Sequence, residues 1–290
     1  MRNFAITLLS LFCLVAATSC VRVSTVVRVK KDGTGSIVSR YYFSPNTLAL
    51  VDQLGALGGA LEGVKGGPDL GMIREMAAPN EESLSKDAAN FGEGVRYAKH
   101  EAGKDEEGWE GYSVIYEFDD IRKVRISQDS VPGKAKEFVE SSGEGVELEK
   151  AGDLTFALEG DLLTVKSNFA AAGMEGFIDD EQIKQARELG VPPSEAIKMA
   201  AGMTEGMRIG FFLRADEGIV ETTAEHVTGD LIILSDADIA GVLNDPDFGA
   251  FIDKGAETPE EVTADSVKAL FKKLEAMTVE SADEITVKLK

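Results

Sequence analysis

Histidine and cysteine, the residues that most often carry catalysis and metal binding, are scarce here: the 290-residue chain holds only His100, His226, Cys13 and Cys20. A zinc site wants several such ligands, which this set does not supply. A Ser-His-Asp triad can be composed on paper around His226, but no G-x-S-x-G nucleophile elbow is present. Carboxylate pairs are so abundant that none is singled out for acid–base work. The segment best suited to an ion is Asp236-Ala237-Asp238-Ile239-Ala240-Gly241, with Asn244 and Asp247 beyond it. Set on the calcium-loop pattern, Asp falls at positions 1 and 3 and Gly at 6. Position 5 is Ala240, however, position 12 is Asp247 rather than Glu, and a strand precedes the segment. Asp236, Asp238 and Asp247 are therefore a weak metal set. The competing reading is a helix start whose acids complement the dipole. Gly33-Thr34-Gly35 and Gly143-Glu144-Gly145 lack the Lys-Ser/Thr ending of a phosphate loop, and the second carries an acid where the anion would sit. The expectation is a protein without catalytic residues or cofactor.

Charge narrows the partners. There are 51 acidic against 30 basic residues, a formal net charge of -21. Counterion release on nucleic acid needs clustered Lys and Arg, so nucleic acid is not an expected partner.

The elements around these residues begin with an export signal. Arg2 precedes an almost wholly apolar run, Phe4 to Ala17, too short for the roughly 20 residues that span a bilayer. The run ends in Leu14-Val15-Ala16-Ala17-Thr18-Ser19-Cys20. This resembles the lipobox of bacterial lipoproteins, with Ala17 where Leu is usual. The resemblance implies a signal peptide over residues 1–19 and a diacylglyceryl group on Cys20. It further implies a body held at a membrane on the non-cytoplasmic side. An ordinary secretory signal would be cut at the same place and leave the Cys20 thiol free. Val21 after that cysteine lacks the Asp that marks inner-membrane retention in some bacteria, which favours the outer membrane only where such sorting operates.

No polar tether follows. Val21, Val23, Val27 and Val29 alternate with Arg22, Ser24, Arg28 and Lys30, a strand whose polar face is cationic. That face either meets lipid headgroups or is simply solvated. Asp32-Gly33-Thr34-Gly35 turns the chain into a second strand, Ser36 to Phe43. Residues 46–77 read as helix rich in glycine, and Asn80 caps another. Strands are expected at Val95–Glu101, Tyr112–Phe118, 153–159 and 161–167, and a helix at 179–189. Ser194 is expected to cap a short helix. A hairpin follows over 207–234, turning at Asp216-Glu217-Gly218. Asp245-Pro246 starts a helix, a last helical region begins near Thr258, and 284–289 alternates as a strand. The fold class is α+β: antiparallel hairpins packed with amphipathic helices. It forms one body over residues 20–290, or two packed lobes, about 20–170 and 171–290.

The order of lipidated Cys, DG-turn hairpin, helical middle and a later hairpin ending in Gly229-Asp230-Leu231-Ile232-Ile233-Leu234 resembles the LppM-like bacterial envelope lipoproteins. The resemblance implies a β-rich, non-enzymatic envelope protein and carries over no functional residue. The expected partners are membrane lipid through acylated Cys20 and an envelope protein or peptide. Strand edges and the acidic loop around Trp109 are the expected contact surfaces. The alternative is a carrier holding an apolar ligand between the sheet and the glycine-rich helix 46–66; an envelope hydrolase ranks third.

Overall fold

The computed structural model describes residues 21–56, 70–127, 130, 153–167, 190–201, 204–258 and 261–290. Residues 1–20, on which the expected signal peptide and Cys20 fall, and the helix expected at 179–189 lie outside the described residues, as does 57–69 of the glycine-rich stretch. The fold is α+β.

The chain opens with β1 (Val21–Val29) and β2 (Gly35–Phe43), then α1 (Pro45–Ala56), α2 (Leu70–Ala77) and α3 (Glu81–Asp87). Four strands follow in the first half: β3 (Arg96–Lys104), β4 (Glu110–Phe118), the two-residue β5 (Arg125–Ile126) and β6 (Leu154–Glu159), with β7 (Leu162–Ser167) after them. Beyond α4 (Pro193–Ala201) come β8 (Arg208–Ala215), β9 (Ile219–Thr222), β10 (Val227–Thr228) and β11 (Leu231–Asp238). The chain ends with α5 (Ile239–Asn244), α6 (Pro246–Glu257), α7 (Ala264–Phe271), β12 (Met277–Val279) and β13 (Glu284–Leu289).

Among the described residues these strands form two sheets. The larger has eight strands in the order β10-β11-β8-β1-β2-β4-β3, with β12 added to β11; the smaller runs β5-β6-β7-β13-β9. β1 and β2 form the expected hairpin in unbroken register from Val21↔Phe43 to Val29↔Gly35. Its turn is closed by the Asp32 carboxylate, which accepts from the Thr34 N–H at 2.9 Å and the Thr34 hydroxyl at 2.8 Å. Those bonds hold the Asp32 carboxyl below its ordinary pKa. Gly33 adopts φ 85° there, a left-handed conformation costly to any residue with a Cβ. At Gly35 the constraint is space: a Cβ would fall 1.9 Å from the Arg28 carbonyl oxygen.

β1 is an inner strand. Its second edge pairs in parallel with β8, from Arg22↔Arg208 to Val29↔Ala215, whereas the sequence suggested antiparallel hairpins throughout. The expected hairpin over 207–234 does not form. Past the turn at Gly218 the chain leaves the large sheet, and β9 pairs with β13 in the small one. β11 then returns to pair antiparallel with β8. Both sheets join strands from either side of residue 170 (β1 with β8, β7 with β13), so a division into lobes near that point would cut both.

One hydrophobic cluster fills the space between the sheets. It takes Val27, Ile37, Val114 and Leu213 from the large sheet, Leu163, Val165 and Val287 from the small one, and Leu84 and Phe91 from α3 and the turn after it. Burying each such side chain contributes about 1.5–3 kcal/mol. A second cluster packs α4 to α7 against β11 and β12. A third sets Leu48 and Val51 of α1 and Ala77 of α2 against Phe43.

Helix starts follow their side-chain oxygens. Asn80 accepts from the Ser83 N–H at 2.9 Å, and Asp245 accepts from Asp247 at 2.8 Å with Pro246 at the first turn. Thr263 and Ser266 cap α7 reciprocally. Ser194 is not a cap: it lies inside α4 and donates its N–H and hydroxyl to Asp253 of α6, at 2.9 and 2.6 Å. The helix thereby trades a cap for a tie between helices.

Tyr41 and Tyr112 stack in the core with ring centroids 5.2 Å apart, and Tyr116 lies against Phe91 at 4.9 Å. Burial raises all three phenols well above their ordinary pKa. The folded state therefore binds these protons more tightly than the unfolded chain, whose tyrosines titrate near 10. This stability is complete below pH ~10 and is lost as the pH climbs above it. We expect the absorbance change of these three phenolates to coincide with loss of the far-ultraviolet dichroism in an alkaline titration. Their ionisation while the fold persists would contradict this.

Candidate ligand face

The large sheet has two unlike faces because side chains alternate along every strand. Thr25, Val27 and Val29 of β1 turn to the core, with Ile37 and Ser39 of β2 beside them. The opposite face can be read from the strand registers as rows crossing the sheet. The row through β1 nearest Val21 is Gly111, Tyr42, Arg22 and Arg208. Next come Ser113, Arg40, Ser24, Gly210 and Asp236. An apolar row follows, Ile115, Val38, Val26, Phe212 and Ile233. The last is Glu117, Ser36, Arg28 and Arg214. None of the five apolar residues belongs to a core cluster.

Most cations on this face are already matched. Arg208 makes two bonds to Asp236, at 2.7 and 2.6 Å. Arg28 donates to Asp216 at 2.9 Å and Arg214 to Asp230 at 3.0 Å. Such partly exposed pairs hold side chains in place more than they stabilise the fold. Arg40 is the exception. It stands exposed, and among the described residues its guanidinium has no ion pair or hydrogen bond. Ser24, Tyr42 and Ser113 beside it have hydroxyls without a described partner. A groove of about 370 Å³ lies here over β1, lined by Ser24, Gly210, Arg40, Tyr42 and Phe212, and also by the acids Asp105 and Asp236, which face Arg22 and Arg208.

Trp109, expected as an exposed contact residue, is instead buried, with 8% of its surface accessible. β3 and β4 run further than expected, to Lys104 and from Glu110, so the connecting loop shrinks to five residues, 105–109. The Asp105 carboxylate closes that loop by accepting from the Glu107 and Trp109 N–H groups at 3.0 and 2.8 Å. The Arg22 guanidinium then lies 4.0 Å from the Trp109 ring centre and pairs with Glu107 at 2.7 Å. On the ring's other approach, a Cβ on Gly206 would sit 3.0 Å from it. The signal for this was present in Arg22, a cation on the strand that the loop must cross.

The weak metal set is dispersed into other duties. Asp236 binds Arg208, and Asp238 caps α5 by accepting from Gly241 at 3.3 Å. Asp247 lies in the first turn of α6. The helix-start reading is the one the geometry matches. No group of three or more His, Cys, Asp or Glu is placed to hold a metal among the described residues. His100 sits on edge strand β3, its Nδ1 2.7 Å from the Tyr97 hydroxyl. The His226 carbonyl accepts from Ile233 at 2.9 Å.

No protein-family model matches the chain, and no curated protein matches it. Among solved structures it is similar to the folded domain of LppM from Mycobacterium tuberculosis, determined by NMR. Identity is 8%, over 74% of this chain and 81% of that domain, with a TM-score of 0.28. A likeness of that size carries no functional meaning. No helix among the described residues is long and apolar enough to cross a membrane.

The Arg22–Trp109 contact makes a direct prediction. Arg22→Ala removes a cation–π contact of about 0.5–1 kcal/mol together with the bond to Glu107. Urea unfolding followed by the fluorescence of the single tryptophan should show a lower midpoint and a red-shifted native emission. Unchanged emission would mean that Trp109 does not depend on Arg22 for its shelter.

Proposed function

We propose that the chain is a cell-envelope lipoprotein, tied to a membrane through an acylated Cys20, and that its body binds a protein or peptide partner without catalysing a reaction. The observation that carries this reading is the lipobox-like run to Cys20 placed directly before β1. The residue after the cysteine is already in the sheet, at Val21↔Phe43. A chain reaches at most ~3.6 Å per residue, so the body would sit against the bilayer with little freedom. The two or more acyl chains of such an anchor, at about 0.8 kcal/mol per buried methylene, make release negligible.

Partner binding is supported by β3, a nine-residue strand at the rim of the large sheet. Its outer edge has no strand partner among the described residues. An extended peptide can add to such an edge by main-chain hydrogen bonds. Lys99, Lys104 and the bulge between Tyr97 and Lys99 make indiscriminate pairing of that edge unfavourable.

Labelling cells with an alkyne analogue of palmitate tests the anchor. The wild-type protein should incorporate label, and its intact mass should correspond to residues 20–290 plus the lipid. Cys20→Ser should abolish both label and membrane fractionation. A full-length, unlabelled and freely soluble wild-type protein would end this reading.

A further inference from the structure

We propose that the groove over Ser24 binds a small organic oxyanion, a carboxylate or phosphomonoester on a body that fills the space between Tyr42 and Phe212. The inference stands on the groove alone and does not need Cys20 to be lipidated. In a chain with 51 acidic against 30 basic residues, an exposed arginine on a sheet face would ordinarily have a carboxylate beside it. Its neighbours do: Arg208 has Asp236 and Arg22 has Glu107. Arg40 has none, and its direct cross-strand neighbours are two serines, Ser24 and Ser113. A guanidinium flanked by hydroxyls presents donors in the fork geometry that carboxylate and phosphate oxygens accept.

The floor of the groove is shaped for an occupant. Gly210 lies beside Ser24 across the parallel pair. A Cβ there would meet the Phe212 ring at 2.5 Å, so the absence of a side chain lets that ring lie along the sheet as an apolar wall. Tyr42 stands on the opposite side, one row from Arg40. The volume, about 370 Å³, lies within the range of small-molecule sites and exceeds what a single phosphate or carboxylate fills. An organic body between two aromatic side chains accounts for the remainder. The pairs Arg208–Asp236 and Arg22–Glu107 leave those two cations largely neutralised, so recognition of one negative charge falls to Arg40.

Trp109 supplies the measurement, since it lies under Arg22 at the end of the groove. The purified protein would be titrated with phenyl phosphate, benzoate, inorganic phosphate and benzyl alcohol while tryptophan fluorescence is followed. At least one aromatic anion should give a saturable change. Inorganic phosphate and benzyl alcohol should each bind at least tenfold more weakly than that anion, one lacking the body and the other the charge. Arg40→Ala should weaken binding of the aromatic anion by roughly tenfold or more, the usual loss for a charged hydrogen bond, with unchanged circular dichroism. Arg96→Ala, on edge strand β3 and paired with Asp119 away from the groove lining, should bind as wild type. The proposal is overturned if no aromatic anion saturates, if benzyl alcohol or inorganic phosphate binds as tightly as the aromatic anions, or if Arg40→Ala retains wild-type affinity.

Discussion

Everything in the large sheet depends on β1 being hydrogen-bonded along both edges. A strand in that position must satisfy its N–H and C=O groups on each side, here with β2 antiparallel and β8 parallel. The parallel ladder cannot be made by a tight turn, because parallel neighbours need a long crossover. The chain between Val29 and Arg208 supplies it, and carries β5, β6 and β7 of the small sheet and the first four helices on the way. That pairing is why a break near residue 170 would sever the large sheet, as the pairing of β7 with β13 makes it sever the small one. It also sets which of β1's two faces is buried: Val27 aligns with Ile37 on one side and Leu213 on the other, and all three are within 1% of full burial.

The opposite face of the same strand is forced to be half-polar by the sequence alternation, and the neighbouring strands answer it. Arg22, Ser24, Val26 and Arg28 are met by Arg208, Gly210, Phe212 and Arg214 in the same order. Two like strands lying parallel would bring arginine against arginine at both ends. The acids drawn in from β11 and the turns, Asp236, Asp216 and Asp230, offset that repulsion. The similarity of the two turns, with Gly33 at φ 85° and Gly218 at φ 99°, belongs to the same pairing: the Asp216 N–H donates to the Val29 carbonyl at 3.0 Å, and the Lys31 N–H to Glu217 at 3.1 Å.

What was legible in the sequence was local. The Asp32-Gly33 turn, the strand pair around Gly160, the caps at Asn80 and Asp245 and the final alternating strand are written in neighbouring residues. The turn and the caps each rest on a hydrogen bond spanning only a few positions, and the strands show as alternation along successive residues. What was not legible were partnerships made across long stretches of chain. β8 and β9 have the hairpin signal, a short acidic turn with Gly218 between β-rich runs, yet β9 finds β13 because Ile219 and Leu289 complete the small sheet's apolar face. Trp109 in an acidic loop reads as exposed until Arg22, 87 positions earlier by number, lies over it. Arg40 carried no signal at all. One arginine on a strand becomes distinctive only when its direct cross-strand neighbours are known to be two serines.

Strand geometry ties the groove to the start of the body. Ser24 lies four residues beyond Cys20, so chain length alone, at no more than ~3.6 Å per residue, keeps the floor within about 14 Å of that position. The small sheet and the Asp32 turn are at the other end of β1, where Gly33 accepts from Ile121 at 2.8 Å. Under the anchor reading, Arg40 and Tyr42 would then lie close to the membrane surface and the small sheet away from it. A bilayer carrying anionic lipid repels an acidic body and attracts counterions to its surface. Such a layer is enriched in cations and depleted of soluble anions, so under that reading the charge of Arg40 alone would not fill the groove, and the fit of an organic body between Tyr42 and Phe212 would have to select its occupant.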